Sequence, residues 1–155
     1  MTPQERTLLL HLIDEGYEHK AWHGPTLRGS IRGVSAIEAA RRPGRGRHSI
    51  WELVVHAAYW KYAVRRRLTG TKRGAFPRTG SNWLAVPDPA TPAAWKRDIA
   101  LLAAEHRALR EVVARVGTLT PRRRRLIAGV ALHDVYHAGQ IQLVKRLIRS
   151  GGRGK

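Results

Sequence analysis

Over the second half of this chain the seam residues recur in alternating steps of four and three. Trp95, Ile99, Leu102, His106, Leu109, Val113 and Val116 form one such stripe. Leu126, Val130, His133, His137, Gln140, Val144 and Leu147 form a second. That spacing follows the period of the α-helix and marks one face of a helix packed against neighbours. No alternating strand pattern of useful length appears anywhere, so the chain must bury its apolar surface between helices alone. The puzzle lies in the second stripe, where two imidazoles and an amide stand at seam positions that Leu or Val would pack better.

The other segments fit the same plan. A first helix is expected from about Thr2 to His19, with Leu8, Leu9, Leu12 and Ile13 as its apolar face. Gly24-Pro25 interrupts it, and Leu27, Ile31 and Val34 resume apolar spacing. Ser35 to Glu38 is a capping-box pattern opening a short helix. Ser49 to Glu52 is another, ahead of a second long helix ending near Gly70. Thr91-Pro92 and Thr120-Pro121 are each an N-cap followed by a first-turn proline, and open the third and fourth long helices. The fourth runs to about Arg149. Between Gly70 and Thr91 the chain is rich in Gly, Pro, Thr, Ser and Asn, with Phe76 and Trp83 available to pin it down. A helix of about 20 residues is roughly 30 Å long, and that connection is long enough to cross it. The expected fold is an all-α four-helix bundle, up-down-down-up, with the long crossover between the second and third helices. Residues 1–150 form one domain and 151–155 a basic tail.

Length and composition bound the function. The 155 residues suffice for one buried core. No apolar run spans a membrane, no signal-peptide layout opens the chain, and a cytoplasmic protein is expected. Cysteine is absent, which removes disulfides, thiolate ligands and cysteine nucleophiles together. The 29 Lys+Arg against 11 Asp+Glu give a formal charge of +18. Such an excess favours polyanions, yet the arginines cluster in loops and at helix ends without interleaved aromatic residues. A solvated basic surface and a nucleic-acid site both remain open.

On a helix, His133 and His137 are one turn apart on one face and can reach a single cation. The alternative is a pair of core histidines satisfied by hydrogen bonds, and with Gln140 beside them they would need several buried partners. Two imidazoles do not complete a metal site. His56, between Leu53 and Trp60 on the second long helix, is a candidate third ligand, although a lone histidine among apolar residues is more often core. His106 reads as a polar residue at the bundle edge, His48 as outside the site, and His11 and His19 as surface. His23, in the AWHGP break, could line a cavity. Gln140, Tyr136, Asp134, Glu52 and Trp60 are candidates to support ligands or line a pocket. Asp134 could orient a ligand or pair with an arginine on another helix. Glu52 already has a capping role, and Trp22 and Trp83 are further candidate pocket walls.

The segments HSIWELVVHAAYWKYAVRRRL (48–68) and HDVYHAGQIQLVKRL (133–147), with AWHGPTL and the long middle loop, resemble the DinB family of four-helix metalloproteins. That family is similar to the bacillithiol- and mycothiol-dependent S-transferases. The resemblance implies the up-down-down-up bundle and a ligand triad falling on His56, His133 and His137. It also implies a divalent metal, zinc or nickel, and makes a homodimer conceivable. The expected function is a metal-dependent enzyme that activates a low-molecular-weight thiol or water against a small-molecule substrate, as a thiol S-transferase or a hydrolase, with detoxification as its setting. The alternative is a nucleic-acid-binding protein, or a stress-response protein that binds metal without turnover.

Overall fold

The computed structural model describes residues 2–72, 74, 76–80 and 82–151. Six helices follow one another: α1 (Pro3–Tyr17), α2 (Leu27–Ser30), α3 (Ala36–Ala40), α4 (Ile50–Thr69), α5 (Pro92–Arg115) and α6 (Pro121–Ser150). No strand occurs among the described residues. The starts are those the caps dictate. Thr2, Thr91 and Thr120 each accept a backbone N–H three residues on, with proline in the first turn. Ser49 and Glu52 complete a reciprocal capping box at the head of α4. The predicted basic tail falls, from residue 152 on, outside the described residues.

The long helices α1, α4, α5 and α6 carry two apolar clusters at different heights. One gathers Leu27, Ile50, Trp51, Leu102, Ala138 and Ile141. The other gathers Leu9, Ile13, Val64, Leu109, Val113 and Ile127. Between them lies a layer of buried polar side chains: Asp14, His56, Lys61, Glu105, His106, Asp134 and His137. Its centre is an ion pair of Lys61 on α4 with Asp134 on α6, both fully buried. Lys61 also lies over the Tyr17 ring, 5.2 Å from its centroid. Tyr17 in turn stacks on His106 at 3.9 Å. Gly16 permits this closeness, because a Cβ there would stand 2.8 Å from the Ala131 carbonyl oxygen on α6.

Other polar pairs tie the helices together along their lengths. Trp51 Nε1 donates to Asp98 at 2.6 Å, and Arg65 forks onto Glu105 at 3.0 and 3.1 Å, joining α4 to α5. Arg110 holds Asp14 at 2.9 and 3.0 Å between α5 and α1. Arg124 pairs with Glu5, joining α6 to α1. Phe76 packs against Tyr59 and Tyr62 at 5.5 and 5.4 Å, and Leu84 is buried, so the crossover lies against the body.

Three expectations need correction. Of the four residues expected to form the apolar face of α1, Leu9 and Ile13 are buried while Leu8 and Leu12 are exposed. On α6 the buried face is Ile127, Val130, Ala131, Asp134, His137, Ala138, Ile141 and Ile148; it keeps Val130 and His137 of the predicted stripe but is rotated from the rest, and Leu147 is half exposed. A strict seven-residue stripe drifts around a straight helix by about 20° per heptad, and Ala131 and Ala138 let neighbours approach without adding bulk to an apolar count. His106 is not at the bundle edge but 1% exposed in the core.

Removing Lys61 would leave a charged carboxylate stranded in the interior. Lys61→Ala is therefore expected to lower the unfolding free energy by about 3–5 kcal/mol. Arg28→Ala, which breaks the more open pair with Glu18, should cost less than about 1 kcal/mol. Urea unfolding of both variants measures the contrast, and equal losses would show that the buried pair does not hold the bundle.

Candidate metal centre

α4 and α6 deliver three imidazoles to one point beside the Lys61–Asp134 pair. The Nε2 atom of His133 lies 3.2 Å from that of His56 and 3.0 Å from that of His137. A single ligand nitrogen from each ring can be chosen so that all three lie within 4.8 Å of one another. A tetrahedral cation with nitrogens at 2.0–2.1 Å holds any two of them about 3.3 Å apart. The two spacings to His133 are close to that requirement, and the three rings form a group that could hold a divalent metal.

The far side of two rings is already committed. His56 Nδ1 donates to the Asn82 carbonyl at 2.9 Å, and His137 Nδ1 donates to Gln140 Oε1 at 2.6 Å. Carbonyl oxygens only accept, so each Nδ1 carries the proton and each Nε2 presents a lone pair. Two lone pairs thus converge on His133 Nε2, which has a single position to offer. One proton there can satisfy only one of them well, whereas a cation satisfies all three. Histidine ligands to metals bind their second N–H in this manner. Gln140 is itself fixed, its Nε2 donating to the Tyr136 hydroxyl at 3.1 Å. His133 Nδ1 is buried without a partner.

Aromatic rings wall the cluster. Trp83 stacks on His56 at 3.8 Å and on His48 at 3.6 Å, lying between them. Trp60 meets His56 and His133 edge-on at 6.3 and 6.2 Å, and its Nε1 donates to Asn82 Oδ1 at 2.9 Å. Asn82 has a left-handed backbone, φ 59°, a conformation that asparagine tolerates better than most residues. That geometry lets one loop residue serve His56 with its main chain and Trp60 with its side chain.

Burial sets the protonation. His133 is held near pKa 3 chiefly by desolvation, then by repulsion from His137, His56 and Lys61. His137 is lowered to about 4 by desolvation and His56, against an opposing contribution from Gln140. His56 is lowered by desolvation, partly offset by the Asn82 carbonyl. All three are neutral at pH 7, the form that binds metals. Desolvation also raises the Asp134 carboxyl, against the pull of Lys61.

Among the residues singled out from sequence, His56, His133, His137, Gln140, Tyr136 and Trp60 come together here. Asp134 lies behind His133, but its partner is Lys61 rather than an arginine. Glu52 accepts the Ser49 N–H at 2.8 Å and pairs with Arg42, so its carboxylate serves the helix start. His23 is exposed and outside the three-histidine group. Trp22 is 100% exposed and walls nothing. Sequence reasoning missed Lys61 and Asn82. A lysine inside the apolar run VVHAAYWKYAV was the available signal for the first, and an asparagine beside Trp83 in a turn-rich loop for the second.

The family model of the DinB superfamily matches residues 21–141. That span takes in His56, His133 and His137 together with the crossover. No curated protein and no solved structure gave a significant match.

The lowered histidines make the metal-free fold sensitive to acid. His106 is likewise held near 3, first by desolvation and then by Lys61 and nearby arginines. In the unfolded chain these rings take up protons near their ordinary 6.5. The folded chain refuses them until much lower pH. Their contribution is therefore complete above about pH 6.5 and is lost as pH falls toward 3 to 4, with a slope of at most about 1.4 kcal/mol per pH unit for each ring. Urea midpoints of the metal-free chain at pH 7.5, 6 and 5 should fall in that order. His106→Phe, which keeps a ring on Tyr17, should flatten the trend.

Proposed function

The chain belongs to the DinB superfamily, and on that premise we propose that it is a metal-dependent enzyme with His56, His133 and His137 as the ligands. The observation that carries this reading is the convergence of three Nε2 atoms whose far nitrogens on His56 and His137 are already occupied. Three protein ligands leave a coordination position open, the pattern of catalytic rather than structural sites. When bound, zinc or nickel at such a site supplies Lewis-acid activation of a thiol or water at neutral pH. No cysteine is needed for that chemistry, and the chain has none.

The remaining residues prepare the site. Asn82 and Gln140 fix the tautomers of His56 and His137 and hold their rings in place. Trp83 and Trp60 keep bulk water from two sides. The Lys61–Asp134 pair sets how far α6 stands along α4, and so how His133 meets His56. In this reading the reaction is thiol S-transfer to a small electrophile, or hydrolysis. The up-down-down-up course of the bundle belongs to the same reading. It is supported by pairs that ascend together, Trp51–Asp98 with Arg65–Glu105 for α4 and α5, and Glu5–Arg124 with Gly16–Ala131 for α1 and α6.

A polyanion-binding role is the second reading, and the formal charge of +18 favours it. Salt separates the two. Nucleic-acid affinity would fall steeply with ionic strength, while thiol conjugation would depend on metal and hardly on salt.

His133→Ala and His137→Ala should each abolish stoichiometric metal, and His56→Ala should weaken affinity by about two orders of magnitude or more. Elemental analysis after purification without a nickel column reads this directly. A full equivalent of metal on the His133→Ala/His137→Ala double variant would sink the assignment. Turnover of a model electrophile with a panel of small thiols tests the S-transfer branch, and inactivity with every thiol would favour hydrolysis.

A further inference from the structure

A groove of about 280 Å³ runs from His133 along the outside of α4 and α6. Val64, Leu126 and Val130 give it apolar walls, Trp60 flanks it, and Gly129 forms part of its floor. Arg67, Arg122 and Arg125 border it. We propose that this groove holds the second substrate, a small electrophile with an apolar middle and a carboxylate held by these arginines. The proposal rests on the reading of the three histidines as the reacting centre.

The use of the arginines elsewhere supports it. Seven others pair with acids: Arg28, Arg42, Arg65, Arg78, Arg110, Arg124 and Arg149. Within the run Arg122 to Arg125, Arg124 takes Glu5 while Arg123 donates to the Thr118 and Leu68 carbonyls. Arg122 and Arg125, the two that border the groove, have no carboxylate partner among the described residues. Arg67 lies over the Trp60 ring at 5.6 Å, also without an acid. Moreover, Arg122 stands in the first turn of α6, the positive end of the helix, and that turn has no acidic residue. Cations there are unfavourable unless an anion joins them. An anion in the groove would relieve that repulsion.

The floor is open for no packing reason. A Cβ at Gly129 would meet nothing within 4 Å, and a glycine inside a helix is less favourable than alanine. A larger side chain would instead project into the groove. Distance then limits the ligand. Arg125 precedes His133 by eight residues, about 12 Å along the helix axis, so the carboxylate and the reacting end must be separated by a chain of medium length.

Octanoate, octanol and octyltrimethylammonium are suitable probes, titrated calorimetrically into the zinc-loaded and the metal-free full chain. Octanoate should bind both forms at least about tenfold more tightly than octanol, the worth of a charge-assisted contact, and the cation should not bind. Arg122→Gln/Arg125→Gln should bring octanoate to the level of octanol. Gly129→Leu, which fills the groove, should lose both ligands and keep a full equivalent of zinc. Equal affinity for octanoate and octanol, or wild-type octanoate binding by Gly129→Leu, overturns the proposal. If Gly129→Leu also loses zinc, the arginine variant decides alone, since both its side chains are exposed. Octanoate binding in this pattern by a chain that takes no zinc would refute the histidine assignment and leave the groove standing. Zinc without octanoate would do the reverse.

Discussion

A lysine and an aspartate facing each other in a helical core constrain everything else in this fold. Lys61 and Asp134 are both without solvent contact, and neither could remain charged there alone. They must meet, and the meeting fixes the rotation and the height of α6 against α4. His133 is the neighbour of Asp134, and His56 lies little more than one turn before Lys61. Once the pair is made, the imidazole edges have almost no freedom left. Apolar residues of equal volume often stabilise a core more than a buried ion pair does; what the ion pair adds is a register, which a core of Leu and Ala would specify less sharply.

The same pair explains why the core is split. Polar residues from all four long helices occupy one level, with an apolar cluster above and below. Each member is costly by itself. Tyr17 is pushed up to about 12, mainly by burial, and His106 is kept neutral between Tyr17 and the positive charges of Lys61 and Arg110. The apolar clusters on either side keep water from the layer and so desolvate the histidines. In such a surround neutral imidazoles are favoured over protonated ones, so protons compete weakly with a cation for the Nε2 atoms.

The charge of the chain divides in two by the same logic. Arginines at the junctions neutralise acids on neighbouring elements, as Arg149 does for Glu38, Arg78 for Asp98 and Arg42 for Glu52. These contacts hold the loops and short helices against the bundle. Among the described residues, Arg67, Arg122 and Arg125 have no carboxylate partner, and all three border the groove beside His133. A single excess of arginine thus serves cohesion in one place and leaves an uncompensated field in another.

Helix starts were legible from sequence because caps are local: Thr2, Ser49, Thr91 and Thr120 bond within three residues of themselves, whatever the rest of the chain does. The HxxxH pair was legible for a like reason, since one turn of helix puts His133 and His137 on one face. His56 could be named only as a candidate third ligand from its place among apolar residues, and the family resemblance strengthened that choice. What lay beyond the sequence required atoms far apart in the chain. The partner of Asp134, the burial of His106, the left-handed Asn82 behind His56 and the exposure of Trp22 each depend on which helix stands opposite. Periodicity gives the phase of a stripe but not its partner, and a stripe of small residues such as Ala131 and Ala138 can attract a neighbour more closely than bulky ones. Local hydrogen bonding settled where the helices begin; only the packing of α4 against α6, locked by one buried charge pair, decided that three imidazoles would share a point.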